Sequence, residues 1–220
     1  MPPRAARVYH GRICDPPARG RPLAFRDFTF PEVFAALGLT YGEADLLAGV
    51  APMEVRPHFA QMLREGAALA LRIATEKARS EFMIAPVLLE ARSVLGPIFG
   101  LFSGTELDAD ASRGLNGFCD FILTRSAMQL AVTAPLMAIV EAKNDNLRSG
   151  LGQCVAAVVA SQVVNKRAGD ERAVWGCVTT GSAWKFFRLD KAHVSFDIPE
   201  YLIGDPGQLL GILRHILGPG

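Results

Sequence analysis

The alternation of apolar and polar positions in the second half of the chain predicts five short strands and one long helix. The apolar runs are rich in β-branched and aromatic residues, as strands are. They lie at 117–123, 137–143, 173–180, 184–189 and 194–198. Between the second and third runs, apolar residues recur at helical spacing over 149–165,. This order predicts an α/β fold with a mixed central sheet flanked by helices, and the helix between two strands fits a βαβ crossover.

The first half of the chain reads as mainly helical. Pro31-Glu32 fits a helix start, because proline is favoured in the first turn and an acid near the positive end,. A second short helix is expected near 42–47. From Pro57 the spacing is helical again,. We therefore divide the chain into an N-terminal arm and helical region, 1–74, and an α/β domain with a C-terminal hairpin and helix, 75–220.

The long helical stretch should break at Thr75, which is expected to cap the helix that follows. In that helix Phe82, Ala85 and Leu89 form one apolar stripe, the face expected to pack on the sheet,. A first strand is expected at 99–102. The acidic stretch 106–115 is expected to be irregular, with an edge strand around Leu107 as the alternative.

Glu141 and Lys143 place an acid and an amine two residues apart in the apolar run 137–143. Alternate residues of a strand project from the same face, so these side chains leave the strand together, about 6–7 Å apart. Burying either charge alone is costly, and each needs a partner, a metal ion or solvent. The alternative is an ordinary ion pair at a strand end, which contributes under about 1 kcal/mol when exposed.

Asp120 supplies a second acid in the apolar run 117–123. Neighbouring strands lie about 4.8 Å apart, so Asp120 and Glu141 could share one divalent cation. Mg²⁺ takes oxygen ligands and usually needs only one or two protein carboxylates beside water and phosphate. An amine next to them could position a water or stabilise charge that builds on a phosphate.

These residues resemble the core of the PD-(D/E)xK nuclease superfamily, which has the restriction-endonuclease-like fold. The family pattern is an acid on one strand, Glu/Asp-x-Lys on the next, and often a glutamine on the following helix. Asp120, Glu141-Ala142-Lys143 and Gln153 match in that order, with Cys119 where the pattern has proline. The resemblance covers about 79–189, and its last part is also similar to the final strands of the nuclease domain in type I restriction subunits.

The resemblance implies metal-dependent hydrolysis of phosphodiester bonds in nucleic acid, with DNA as the expected partner. Asp120 and Glu141 would hold Mg²⁺ or Mn²⁺, together with the carbonyl of Ala142. Lys143 would face the attacking water and the phosphate. Gln153 would order that water or hold Lys143; the alternative is an ordinary polar residue of the first helical turn. The family often dimerises to cut two strands, so a homodimer is also expected.

Members of the family often carry a further acid on the helix before the first core strand. Glu81 is the expected residue, both as an outer support and as a possible metal ligand, because it lies beside the apolar stripe at Phe82. Glu76 is offset by five residues and therefore turned about 140° away on the helix. The alternative for Glu81 is an ordinary solvent-facing glutamate.

Composition places few limits on these expectations. The formal net charge is +1, so no overall basic field indicates nucleic acid, although a local groove is not excluded,. The four cysteines stand far apart and read as buried thiols, and neither a signal peptide nor a membrane span is expected,. The chain is therefore expected to be cytoplasmic. The alternative to an enzyme is a catalytically silent nuclease-fold module that binds nucleic acid or protein.

Overall fold

The computed structural model describes residues 23–96 and 99–218. Most of the predicted N-terminal arm lies outside these ranges. Within them, eight strands form one open sheet. The strands are β1 (Thr40–Ala44), β2 (Gly100–Asp110), β3 (Leu115–Thr124), β4 (Leu136–Ala142), β5 (Val174–Thr179), β6 (Ala183–Asp190), β7 (His193–Asp197) and β8 (Tyr201–Leu202).

The sheet is mixed, with the order β1-β7-β6-β5-β4-β3-β2, and β8 pairs with β6. β1 runs parallel to β7 and β4 runs parallel to β5, whereas the other neighbours are antiparallel. The predicted α/β class with a mixed sheet between helices is confirmed. The predicted βαβ crossover is also present, since a helix connects the parallel strands β4 and β5.

Helices cover both faces of this sheet. They are α1 (Glu32–Leu37), α2 (Pro57–Ile73), α3 (Glu76–Arg79), α4 (Ala85–Leu95), α5 (Leu147–Arg167) and α6 (Pro206–Leu217), with a π-helical turn at Ser80–Ile84 and 3₁₀ turns at Phe25–Asp27 and Ala111–Arg113. Helix α5 packs on one face through a core that includes Ile122, Ile139 and Val178. Helices α4 and α6 cover the other face, over Phe121 and Val140. Successive strand residues therefore alternate between the two cores, as the pleat requires.

Helix α5 positions much of the molecule. Asn146 caps it, since the Asn146 side chain accepts a hydrogen bond from the Arg148 amide at 2.9 Å,. Small residues such as Ala156 and Ala160 are fully buried and let the helix approach the strands closely. By length and composition α5 could cross a membrane, but 61% of its apolar window is buried inside the fold. That burial is consistent with the core helix of a soluble protein.

Two helix caps confirm the predicted boundaries. The Thr75 hydroxyl accepts a hydrogen bond from the Ala78 amide at 3.2 Å and begins α3, where the helical stretch was expected to break. Asp205 accepts a hydrogen bond from the Gln208 amide at 3.0 Å and begins α6. Both follow the rule that a side-chain oxygen satisfies an amide of the first turn.

The prediction of a short helix near 42–47 is wrong. Residues 40–44 instead form β1, which pairs in parallel with β7 and makes β7 an inner strand of the sheet. The stretch 106–115 is not irregular throughout: β2 continues to Asp110, which is the edge-strand alternative at Leu107. Leu107 and Ala109 are buried while Glu106 and Asp108 face solvent, which is the alternation of an edge strand,.

The prediction that Phe82, Ala85 and Leu89 form the packing face of the helix after Thr75 is also wrong. Phe82 and Leu89 are 36% and 56% exposed. A different stripe is at most 1% exposed: Ile84, Val87, Leu88 and Ala91. This second stripe has complete i, i+3, i+4, i+7 spacing, which is the pattern of a core-facing helix. Because both faces are apolar, spacing alone did not distinguish them.

Candidate active site

Asp120 lies where β3 and β4 separate. The backbone ladder between these strands reaches Phe121 opposite Val140. Beyond that pair, the two strands are linked by the Asp120 side chain instead of by the backbone. Its Oδ2 accepts a hydrogen bond from the Ala142 amide at 2.7 Å. Burial raises the pKa of Asp120, while the Ala142 amide and the positive charge of Lys143 act in the opposite direction. Asp120 is therefore fixed at the end of β4 with its carboxyl half-buried.

Asp120, Glu141 and Lys143 form a cluster of charged side chains. Glu141 is its most deeply buried member, with 2% of its surface exposed. Its Oε1 accepts a hydrogen bond from Lys143 Nζ at 2.8 Å. Its Oε2 is buried and finds no hydrogen-bond partner among the described residues. Burial, reinforced by the negative charge of Asp120, raises the pKa of Glu141 to about 8. A buried carboxylate oxygen without a partner is costly and points to a missing proton or cation.

Lys143 completes the cluster. Burial alone would lower its pKa, but the carboxylates of Glu141, Glu76 and Asp120 outweigh burial and raise it. The ammonium form is therefore favoured. Its backbone amide donates a hydrogen bond to the Thr179 carbonyl at 2.8 Å, which continues the β4–β5 pairing past the end of β4. The amine is thus held by its own strand and by the neighbouring one.

The three predicted residues lie on one face of the sheet. Ile122 and Ile139 belong to the core beneath α5, and Asp120 and Glu141 are each two residues from one of them,. Lys143 is two residues beyond Glu141 and bonded to it. The structure therefore brings Asp120, Glu141 and Lys143 together.

Gly150, in the first turn of α5, makes room for the amine. A Cβ atom there would lie 2.9 Å from Lys143 Cε and 2.8 Å from Val178 Cγ1, closer than side chains tolerate. The helix can approach β4 and β5 only because this position lacks a side chain. The sequence analysis missed Gly150, since a glycine near a helix start has several common explanations.

Arg79 is a second residue that the sequence analysis did not assign. Its Nη1 donates a hydrogen bond to the Thr180 carbonyl at 3.0 Å, and its Nε to Asn144 Oδ1 at 3.3 Å. Asn144 directly follows Lys143, and Thr180 directly follows β5. Arg79 therefore connects α3 to both segments that border the amine.

The two helical acids differ in their surroundings. Glu81 has 51% of its side chain exposed and pairs with Lys77 Nζ at 2.7 Å, four residues earlier on the helix. Glu76 also lies on the surface, but its charge raises the pKa of both Glu141 and Lys143, so it lies within electrostatic reach of the cluster. Of the two acids, Glu76 is the one whose charge acts on Glu141 and Lys143, and the role expected for Glu81 stays a prediction.

Gln153 is half-buried and lies in the second turn of α5, because the helix begins at Leu147, earlier than expected. It lines a cleft of about 280 Å³ together with Asn116 and Gly117 at the start of β3. The buried Oδ1 of Asn116 lacks a hydrogen-bond partner within the described part of the chain. Gln153 is therefore placed beside the strand that carries Asp120, while its predicted contact with water or Lys143 stays a prediction.

The donor set is small for a metal centre. Within 23–96 and 99–218 there is no group of three or more His, Cys, Asp or Glu side chains arranged to hold an ion. Mg²⁺ nevertheless binds through one or two carboxylates when water and phosphate supply the other ligands. Asp120 and the unpartnered Oε2 of Glu141 fit that minimal set.

No family model, curated protein or solved structure matches the chain. The resemblance to the nuclease superfamily therefore rests on the residues themselves and stays a prediction. The arrangement of those residues is what the structure adds: a buried acid, a half-buried acid and an ammonium at the end of β4, under the start of α5.

Proposed function

We propose that this chain is a metal-dependent nuclease of the PD-(D/E)xK type, with its sheet and helices forming a restriction-endonuclease-like core. The observation that carries the proposal is the buried, unpartnered Oε2 of Glu141 beside Asp120 and Lys143. A cation bound there would compensate this oxygen, as a proton does below the Glu141 pKa of about 8. The substrate class is nucleic acid, with DNA as the first candidate.

Asp120 and Glu141 would hold Mg²⁺ or Mn²⁺, and the Ala142 carbonyl is a further candidate ligand. When bound, such an ion polarises a phosphate and lowers the pKa of water. The cation must compete with the proton on Glu141 and with Lys143 for the carboxylate. Cation binding is therefore expected to strengthen as the pH rises towards the Glu141 pKa of about 8.

Lys143 is suited to act as a cation rather than as a base. Its pKa is raised by the acids around it, so the amine stays protonated. A fixed ammonium next to the scissile phosphate stabilises the negative charge that builds in the transition state. Glu76 takes the outer supporting role assigned to Glu81 on sequence grounds, since its charge acts on both Glu141 and Lys143.

The test is cleavage of plasmid, single-stranded DNA and RNA in Mg²⁺, Mn²⁺ or EDTA. Cleavage is expected with a metal and not with EDTA. Replacing Lys143 by Ala should reduce the rate at least about a hundredfold, since it removes the charge that faces the phosphate. Lys166→Ala is the matched control, because Lys166 is an exposed lysine in the last turn of α5. Full activity in Lys143→Ala, or in EDTA, would falsify the proposal.

A silent nuclease-fold module is the second candidate. The lack of any group of three ligand-type side chains in the described residues favours it. Lys143 already occupies one oxygen of Glu141, so the pair could persist without a metal. Binding of nucleic acid without cleavage in any metal would support this module.

A further inference from the structure

A groove opens between the start of α5 and the outer strands of the sheet, with a volume of about 790 Å³. We call it the aromatic groove. Its lining combines three aromatic rings, two basic side chains and two acids. These residues are Phe30, Tyr41, Phe196, Arg148, Lys185, Glu43 and Glu200. The volume falls within the range of pockets that hold small organic ligands.

The aromatic groove lies on the same face of the sheet as the candidate active site. Glu141 pairs with Val178 on β5, and Val178 pairs with Lys185 on β6. The three residues form one cross-strand row, so Lys185 stands two strand spacings, about 10 Å, from Glu141. Leu151 lines the groove and directly follows Gly150, which lies against Lys143. The groove therefore begins beside the site where the phosphate would bind.

The charges of the aromatic groove do not favour a phosphate. Its two cations are balanced by Glu43 and Glu200. Both cations are also engaged: Lys185 Nζ donates to the Ile198 carbonyl at 2.9 Å, and the Arg148 guanidinium lies 5.1 Å from the centroid of the Phe30 ring. A neutral, flat group with hydrogen-bond donors fits this lining better than an anion does.

Tyr41 provides a stacking surface. One face of its ring stacks on Phe34 at a centroid distance of 4.2 Å, and the residue is still 46% exposed. A nucleobase can stack on the free face, as bases do on aromatic side chains in single-strand binding proteins. The carboxylates of Glu43 and Glu200 can accept hydrogen bonds from exocyclic amino groups of a base.

We infer that the aromatic groove binds an unpaired nucleobase of the strand that is cut, next to the scissile phosphate. The inference rests on the proposed nuclease function and narrows its substrate class. A base inside a duplex cannot offer its ring face, so the preferred substrate is a single strand or an unpaired end.

The test measures binding without cleavage, in EDTA and on a Lys143→Ala background. A fluorescent single-stranded oligonucleotide should bind more tightly than the same sequence as a duplex. Tyr41→Leu should weaken single-strand binding about tenfold, which is the usual loss when a stacking ring is removed. Tyr41→Phe keeps the ring and should bind like the parent. Phe82→Leu is the control, since it alters another exposed aromatic residue away from the groove.

A melting curve for each variant excludes loss of fold as the cause. Equal affinity for single strand and duplex, or unchanged affinity in Tyr41→Leu, overturns the inference. A free mononucleotide that binds as tightly as the oligonucleotide would also overturn it, because the groove would then be a nucleotide site and not part of a strand path. Tyr41-dependent binding with no cleavage in any metal supports the groove and refutes the nuclease. Metal-dependent cleavage together with unchanged binding in Tyr41→Leu supports the nuclease and refutes the groove as a base-binding site.

Discussion

Glu141 and Glu90 are both buried glutamates paired with a basic side chain, yet their oxygens are satisfied differently. Glu90 is 6% exposed, and Arg56 binds both of its oxygens, Nε to Oε1 at 2.7 Å and Nη2 to Oε2. Glu141 is bound by Lys143 at one oxygen only. The planar guanidinium suits a two-point grip on a carboxylate, whereas an ammonium is a single point charge.

Asp197 extends the contrast at the far end of the sheet. It is fully buried, and the Leu46 amide donates to its Oδ1 at 2.7 Å while the Tyr201 hydroxyl donates to its Oδ2 at 2.8 Å. Buried acids that hold the fold together are therefore closed on all sides. Among residues 23–96 and 99–218, Glu141 is the buried acid with an oxygen that has no hydrogen-bond partner, and this difference distinguishes a candidate site from a structural ion pair,.

The substitution Glu141→Gln gives the strongest test of this difference between Glu141 and the structural acids. The amide cannot supply a negative oxygen to a cation, so metal-dependent cleavage should fall about a thousandfold, the equivalent of several kcal/mol. At pH 4.5 or below, where the folded parent protein also carries a neutral side chain at this position, the free energy of unfolding should change by less than about 1 kcal/mol,. Kinetics and urea unfolding of the same preparation check both expectations. Retained cleavage would show that Glu141 is only structural.

Substitution of the two fully hydrogen-bonded acids, Asp197 and Glu90, should lower stability and leave cleavage unchanged. Asp197→Asn leaves an amide NH₂ group facing donors, and the free energy of unfolding should fall by about 2 kcal/mol. Glu90→Gln should lower it by about 1–3 kcal/mol, since Arg56 is partly exposed and can regain some water,. Urea unfolding measures both. Cleavage per folded molecule should stay near the parent rate, and a selective loss of cleavage would undo the distinction.

The smallest expected effect is a pH dependence of stability. The pKa of Glu141 is raised to about 8 in the folded chain. An unfolded chain releases this proton near pH 4.5, whereas the folded chain keeps it until about pH 8. The contribution of Glu141 is therefore fully present below pH 4.5 and is lost as the pH rises to 8. Without metal, the unfolding free energy relative to Glu141→Gln should fall as the pH rises through this window, by at most about 1.4 kcal/mol for each pH unit.

Mn²⁺ should reverse that loss. At pH 8 it should raise the melting temperature of the parent protein but not of Glu141→Gln, since it binds the open carboxylate of the folded state. Thermal melts at pH 6 and pH 8 check the result. An equal shift in both proteins would place the ion elsewhere.

The cluster at the end of β4 could be predicted because its signal is local. Period-two spacing put Glu141 and Lys143 on one face of a buried strand, and the neighbouring strand carried Asp120. β1 could not be predicted in the same way. Its sequence, Thr40–Ala44, has a mostly exposed pattern and a central glycine, and only distant pairing with β7 makes it a strand. Local propensity cannot report such a contact.

The choice between Glu76 and Glu81 shows a second limit of prediction from the sequence. The choice between them depended on which apolar stripe of the helix faced the sheet. Phe82 and Leu89 compete with Ile84 and Leu88 for that role, and tertiary packing decides in favour of the second pair. Gly150 and Arg79 were missed because their importance lies in distances to other segments.

The parallel pairing of β1 with β7 joins Thr40 to His193. Closing so large a segment costs more chain entropy than forming the hairpins within it, and contacts of this separation form late. During synthesis on the ribosome, β1 emerges long before its neighbour exists. Until the two strands pair, the sheet ends in β7, whose unpaired edge is open to other nascent chains, which is a route to aggregation.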